Sequence, residues 1–265
     1  MMTFLLFLLE WVLRPIHLGA ALRLQTIAQQ RFLHAPRASR QSESSHVLIH
    51  MCAFNGIGVI ESALESVRSQ SHQNWTLLIS DDCSEDETFD VVSKLAAQDE
   101  RIKCLQNPTN FFQASIAHRN VGLQEFYDGE YDFFTILDQD DVAEPDWLEK
   151  CLGLDWNRIG LVRMWNERWN WSMTKPSFRY PAAAQLFIPR DFLLPRVSYR
   201  RLDGAAEDTE FLRRMEYRAI KRRKPIVVTP FLCQRMRFHA ASQSNHTEGM
   251  SRTRTEHFLN NFWSA

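Results

Sequence analysis

Short apolar runs alternate with amphipathic segments through the middle of the chain. Runs of about four to eight apolar residues bounded by turn residues favour buried strands, whereas apolar side chains spaced about 3.6 residues apart favour helices. The pattern predicts strands at residues 46–52, 75–80, 102–105 and 131–137, and helices at residues 57–70, 84–96 and 113–126. This β-α-β-α-β-α-β order predicts an α/β fold, with a mainly parallel sheet and helices on both faces.

The second half of the chain is less regular, and residues 155–180 stand out by their Trp and Arg content. A helix is predicted at residues 207–220, because acids at its start and bases at its end suit the helix dipole. Pro225 ends this helix, and a strand is predicted at residues 226–229. In the first half, Ser84 is the predicted N-cap of its helix, with Glu87 completing a capping box.

The N-terminal region has a different pattern. Residues 11–34 place apolar side chains among Arg and His residues, which predicts a basic amphipathic helical extension. Such a helix would lie on an anionic membrane surface or dock on the protein's own core. Residues 35–45 are polar and unpatterned, which predicts a linker. We therefore expect an N-terminal extension at residues 1–45, a folded domain at residues 46–246 and a C-terminal tail at residues 247–265.

Composition narrows the functional classes. The chain has 265 residues, of which 45% are hydrophobic, enough to bury the core of one large domain. The net charge of -1 gives no overall signal for nucleic-acid binding. The five cysteines show no CxxC or Cys/His spacing, so no zinc site is predicted. We expect buried free thiols in a reducing, cytoplasmic compartment.

Acidic residues cluster directly after two predicted strands. Asp138-Gln139-Asp140-Asp141 follows one of them, and Asp81-Asp82 is at the end of another. Ligands of parallel sheets bind beyond the carboxyl ends of the strands. Neighbouring carboxylates repel one another and lose solvation, and a divalent cation such as Mg²⁺ or Mn²⁺ relieves both costs. The alternative is that the cluster at residues 138–141 is a solvated turn that caps a helix beginning near Glu144.

Six segments, taken in order, resemble those of the family 2 glycosyltransferases, which have the GT-A fold with a Rossmann-like nucleotide-binding sheet. The resemblance covers about residues 46–246 and implies a donor half at residues 46–142 and an acceptor half at residues 143–246. The matching segments are the opening strand and its loop at residues 46–55, the first helix at 61–70, the nucleotide-binding segment at 80–88, Arg-Asn-Val-Gly at 119–122, the DXD motif at 138–141 and the acidic motif at 204–208.

The resemblance also implies roles for single residues. Asp140 or Asp141 would bind the metal, with His239 as a further ligand. Asp208 would be the catalytic base, with Glu207 as the second choice. Arg119 would face the diphosphate, unless it forms an ion pair on the helix surface. The residues implied for nucleotide-sugar binding are Ala53, Asn55, Glu61, Asp81, Asp82, Arg119, Asp138 and Gln139.

By this resemblance the protein is an inverting, metal-dependent glycosyltransferase of the hexosyltransferase kind. It would move a sugar from a nucleoside-diphosphate sugar, with a UDP-sugar expected, to a hydroxyl of a glycan or lipid-linked acceptor. The cofactor, Mg²⁺ or Mn²⁺, would stabilise the leaving diphosphate as a Lewis acid. The expected pathway is cell-surface polysaccharide or glycolipid synthesis at the cytoplasmic face of the membrane, with peripheral contact through residues 1–34 and no nucleic-acid partner.

Two other classes stay open at this point. A nucleotidyltransferase of similar fold would need a glycine-rich phosphate loop near the first strand, and Asn55-Gly56-Ile57-Gly58 is a poor candidate that lacks a basic residue. A non-catalytic carbohydrate- or nucleotide-binding module would use the Trp-rich residues 156–171 to stack on sugars.

Overall fold

The computed structural model describes residues 44–108, 115–200 and 207–238. The predicted amphipathic extension, the C-terminal tail and His239 lie outside these residues. Among the described residues, no helix combines the length and apolar content that a bilayer crossing requires. The helices are α1 (Ile60–Arg68), α2 (Thr88–Ala96), α3 (Ser115–Asp128), α4 (Trp147–Leu152), the short α5 (Arg190–Leu193) and α6 (Glu207–Arg222).

In the part of the chain that the structure describes, eight strands form one sheet in the order β3-β2-β1-β4-β7-β6-β8-β5. Four of the seven pairings are parallel, and the pairings of β4 with β7, β6 with β7 and β5 with β8 are antiparallel. The strands are β1 (Val47–Ala53), β2 (Trp75–Asp81), β3 (Ile102–Gln106), β4 (Phe133–Ile136), β5 (Val142–Ala143), β6 (Leu161–Asn170), β7 (Pro176–Pro189) and β8 (Ile226–Phe238). The predicted α/β architecture is thereby confirmed.

Apolar residues cover both faces of the parallel part of the sheet. In β1 the side chains of Val47, Ile49 and Met51 enter one core cluster, together with Ile60 and Leu64 of α1. Leu48, on the opposite face, belongs to a second cluster that includes Leu123 of α3. Successive side chains of a strand point to opposite faces, so a strand buried on both sides is apolar nearly throughout.

Two predictions of local structure need correction. Helix α2 begins at Thr88, four residues after the predicted start, and its N-cap Glu87 makes no side-chain capping bond. Ser84 is used otherwise, because its main-chain N–H and its hydroxyl both donate to the Asp81 carboxylate. Strand β8 continues to Phe238, well beyond the predicted end at residue 229, because it pairs along its length with β6.

Candidate active site

Three parallel strands bring the predicted site residues to one edge of the sheet. β1 and β2 are in register through the pair Ala53 and Asp81 at their carboxyl ends. β4 pairs Ile136 with His50 of β1, so Asp138, two residues further on, lies at the same edge. The main-chain N–H of Asp82 donates to the carbonyl of Ala53 at 2.8 Å. The edge therefore gathers the two acidic clusters that the sequence analysis singled out.

Asp81 is fully buried, and its carboxylate is held by protein donors. It accepts hydrogen bonds from the N–H of Ser84 at 3.0 Å and from Nε2 of Gln106 at 3.2 Å, besides the Ser84 hydroxyl. These bonds fix the loop that follows β2. The neighbouring Asp82 contacts a different residue: its Oδ1 lies 2.9 Å from Nε2 of the buried His118. The roles of both acids toward a nucleotide stay predictions.

Asn55 and Gln139 shape the loop after β1. Asn55 has a φ of 44°, a left-handed conformation that asparagine tolerates better than most residues, and its Oδ1 accepts the N–H of Glu85 at 2.8 Å. Gln139 exchanges two hydrogen bonds with the main chain of Phe54, at 3.0 and 2.9 Å. A Cβ at Gly56 would come within 2.2 Å of Oε1 of Gln139, so this contact requires glycine. Gln139 thus connects the acidic loop to the loop after β1.

The three acids at residues 138–141 have different environments. Asp141 is 1% exposed; its Oδ1 accepts the N–H of Arg237 at 3.1 Å, and its buried Oδ2 has no hydrogen-bond partner among the described residues. Burial raises the pKa of Asp141 well above its usual range, and the neighbouring carboxylates of Asp140 and Asp138 raise it further. Asp138 is partly exposed, and its Oδ2 accepts Nε2 of Gln185 at 3.0 Å.

This acidic group suits a divalent cation that also binds phosphate. An orphaned buried carboxylate oxygen beside two more carboxylates is the electrostatic situation that a cation relieves. Within the described ranges no three ligand side chains are grouped for a metal. Mg²⁺ commonly needs only one or two carboxylates when a substrate supplies phosphate oxygens. The donor set therefore fits a metal that binds together with a nucleoside diphosphate.

Arg119 of α3 and Asp208 of α6 form an ion pair across the site. Nε of Arg119 lies 3.0 Å from Oδ1 of Asp208, and its second terminal nitrogen donates to Oδ2 at 3.3 Å. The Nε contact is close but poorly aligned for a hydrogen bond, so it is chiefly electrostatic. Arg119 is buried, with its guanidinium 5.7 Å from the ring of Tyr199. The pair is therefore not on the helix surface.

The surroundings of Asp208 raise the pKa of its carboxyl group above the usual range. Burial raises the pKa of Asp208, the Arg119 guanidinium lowers it, and the carboxylates of Asp138 and Glu207 raise it again. About a third of its side chain, 29%, still faces solvent, so a hydroxyl group has access to it. A carboxylate with a raised pKa, open on one side, can accept a proton from a hydroxyl group that reaches it.

The remaining predicted residues are more peripheral. Glu207 is half-buried, directly before Asp208, and Glu61 is exposed in the first turn of α1. Ser62, next to Glu61, accepts a hydrogen bond from Arg237 at 2.8 Å. Sequence reasoning missed Arg237, Gln185 and Tyr199 as parts of this region. Gln185 lies on β7, a strand that was not predicted. Arg237 lies two residues before the predicted ligand His239, so the segment that indicated His239 could also have indicated Arg237.

Comparison with known proteins identifies the domain. A family model described as "Glycosyl transferase family 2" matches residues 48–157. Residues 48–157 are therefore similar to a family 2 glycosyltransferase domain. An uncharacterized glycosyltransferase of Haemophilus influenzae is 34% identical over 106 residues, which are 40% of this chain and 40% of that protein. A GalNAc(5)-diNAcBac-PP-undecaprenol beta-1,3-glucosyltransferase of Campylobacter jejuni is 35% identical over 88 residues, 33% of this chain and 27% of that protein.

Solved structures agree with the family 2 glycosyltransferase domain in fold. The S. aureus TarS 1-349 complex with UDP-GlcNAc superposes with a TM-score of 0.61 at 16% identity, covering 74% of this chain and 60% of that one. The mannosyltransferase PcManGT from Pyrobaculum calidifontis, in complex with GDP-Man and Mn²⁺, gives 0.56 at 17% identity, covering 91% and 71%. These likenesses confirm the predicted GT-A fold. The chain spans about two fifths of the length of one Haemophilus influenzae relative and about a third of another.

Proposed function

We propose that this protein is an inverting glycosyltransferase that moves a sugar from a nucleoside-diphosphate sugar to a hydroxyl group. The observation that carries the proposal is the partly exposed Asp208, held by the buried Arg119 and close enough to Asp138 for their charges to interact. An inverting transfer needs a base on one face of the sugar and stabilisation of the leaving diphosphate on the other. Asp208 is the proposed base, and the acidic group is the proposed diphosphate side.

In this proposal the residues of the chain position the reactants and move one proton. The acceptor hydroxyl gives its proton to Asp208 as its oxygen attacks the anomeric carbon, while the bond to the diphosphate breaks. Asp140, with Asp138 or Asp141 beside it, would hold a divalent cation, which would supply Lewis-acid stabilisation of the leaving diphosphate. Asp81, Asp82 and the loop fixed by Gln139 form the wall against which the nucleotide is proposed to lie.

The donor and acceptor classes are also proposals. UDP-GlcNAc in the TarS complex and GDP-Man in the PcManGT complex support a nucleoside-diphosphate sugar, and we favour a UDP-sugar. The name of the Campylobacter jejuni relative specifies an undecaprenol diphosphate acceptor. We therefore propose a lipid-linked acceptor and a place of action at the cytoplasmic face of a membrane, in the synthesis of a surface polysaccharide or glycolipid.

The test is substitution of the proposed base. Asp208→Asn keeps the shape of the side chain but removes its ability to accept a proton. We expect turnover to fall at least about 100-fold, within the usual contribution of general base catalysis, while the Kd for UDP in the presence of Mn²⁺ stays within about 2-fold. Glu207→Gln is the matched control and should retain most activity. Full activity of Asp208→Asn would overturn the assignment of the base.

A further inference from the structure

A basic surface lies along α6 and the neighbouring 196–200 segment. Residues of the 196–200 segment and of α6 line a cavity of about 470 Å³ there. Five of its nine lining residues are cationic: Arg196, Arg200, Arg214, Arg218 and Lys221. The proposed transfer reaction uses none of them. We call these five residues, together with the adjacent Arg222, the basic face.

Within the described residues, the positive charge of the basic face is only partly compensated. Carboxylates of these residues pair with two of the cations, Asp128 with Arg196 at 3.3 Å and Glu210 with Arg214 at 2.6 Å. Arg218 instead donates to the carbonyls of Phe192 and Pro195, at 2.8 and 3.1 Å. A carbonyl satisfies the N–H groups of a guanidinium but leaves its net charge in place.

The cations of the basic face on α6 are close enough to repel one another. Arg214, Arg218 and Arg222 are four residues apart along α6, so they stand on one side of the helix in successive turns. Burial lowers the pKa of Arg218, and the neighbouring guanidinium groups of Arg222 and Arg214 lower it further. An anion placed against this face would reduce that repulsion, which is the charge complementarity expected of an anion-binding surface.

Exposed apolar side chains adjoin the same cations. Leu194 is 41% exposed, Tyr217 60% and Ile220 42%, and the ammonium of Lys221 lies 5.3 Å from the ring centroid of Tyr217. Aromatic and aliphatic side chains beside Lys and Arg are typical of surfaces that rest on a membrane, where the apolar groups enter the headgroup region and the cations meet phosphate.

We propose that the basic face docks on an anionic phospholipid bilayer. This inference rests on the function proposed above, in which the acceptor is linked to a membrane lipid. Helix α6 carries Asp208 in its first turn, and Lys221 comes 13 residues later, which is about 20 Å along the helix axis. Docking at Lys221 would therefore hold the proposed base at a distance from the bilayer that the glycan part of a lipid-linked acceptor can span.

The experiment compares binding of the full chain to vesicles of phosphatidylcholine alone and of phosphatidylcholine mixed equally with phosphatidylglycerol. The test variant is Arg200→Gln with Lys221→Gln, two exposed cations of the face. The matched control is Lys94→Gln with Lys175→Gln, two exposed cations elsewhere. Each Lys or Arg near an anionic surface contributes about 5-fold in affinity, so we expect about 25-fold weaker binding for the test variant and little change for the control.

Several outcomes would overturn the proposal. The first is that the wild-type chain does not prefer the phosphatidylglycerol vesicles, and the second is that the two double variants bind equally well. The third is displacement from the vesicles by soluble glycerol phosphate at constant ionic strength, which would indicate a discrete phosphate site. UDP binding with Mn²⁺, measured on the same samples, reports separately on the proposed transferase function, so failure of one does not conceal failure of the other.

Discussion

Replacing Arg119 by glutamine should shift the pH dependence of catalysis. The Nε of Arg119 lies 3.0 Å from Oδ1 of Asp208, and Arg119 lowers a pKa that burial raises. Two charges about 4 Å apart interact by about 4 kcal/mol at an effective dielectric constant of 20. Since 29% of the Asp208 side chain meets solvent, screening reduces this figure. We expect the pKa of Asp208 to rise and the pH profile of catalysis to move by about 1 to 2 pH units.

The assay is the pH profile of kcat/KM for the acceptor at saturating donor. A base works only when deprotonated, so a higher pKa of Asp208 moves the acidic limb of the profile to higher pH by the same 1 to 2 units. Arg119→Lys keeps the charge and should shift the limb less. Arg68→Gln removes an arginine from the remote surface of α1 and should shift nothing. Circular dichroism would first establish that each variant is folded.

An unchanged acidic limb in Arg119→Gln, combined with a weaker Kd for UDP, would mean that Arg119 binds the diphosphate, which is one of the two roles that the family resemblance left open. The ion pair with Asp208 would then be a resting contact that the donor displaces.

Three further predictions concern stability and the metal. Burial lowers the pKa of His50 to about 3, and the charges of Arg119 and His118 lower it further. Below about pH 6.5 the unfolded chain binds a proton at His50 that the folded protein does not, so the folded protein should lose about 1.4 kcal/mol of stability per pH unit. Urea unfolding at pH 7 and 5 would show this loss, and His50→Asn should lack it. Gly122→Ala would place a Cβ 2.4 Å from Cγ of His50 and should cost about 1 to 3 kcal/mol in thermal unfolding, unlike Gly58→Ala, where nothing lies within 4 Å. Chelation by EDTA should weaken UDP binding in the wild type but leave Asp140→Asn unaffected, and equal weakening in both would remove Asp140 from the metal site.

The sequence predicted β1, β2, β3 and β4 to within about two residues, because each is a short apolar run that ends at polar residues. It did not predict β6 and β7. Their pairing has irregular register near Trp165 and Trp169, so the alternation that marks a strand is interrupted. Strand β8 contains Pro230 and the buried Gln234, whose amide donates to the carbonyl of Ile136. Because the hydrogen-bond partner of Gln234 is far away in the chain, the neighbouring sequence does not indicate that this polar residue is buried in a strand.

The site could be predicted as a set of residues but not as a set of contacts. The acids at the strand ends were evident, since chain order and sheet geometry put them at one edge. The partner of Arg119 is 89 residues away in the chain, and nothing near either residue indicates the pair. Gln139 was predicted to bind the nucleotide sugar, whereas its amide engages the main chain of Phe54. Its role toward the ligand stays a prediction.

The exchange of hydrogen bonds between Gln139 and Phe54 has a consequence for protein engineering. Donor preference in such a domain would be altered by grafting the loop after β1 from another enzyme. Here Phe54, Gly56 and Gln139 behave as one unit, because the amide needs the main chain of the first and the missing Cβ of the second. A graft that puts a residue with a Cβ at position 56 while keeping Gln139 would displace this amide from the main chain of residue 54, beside the acidic loop. Chimeras should therefore exchange both segments together, although they stand more than eighty residues apart.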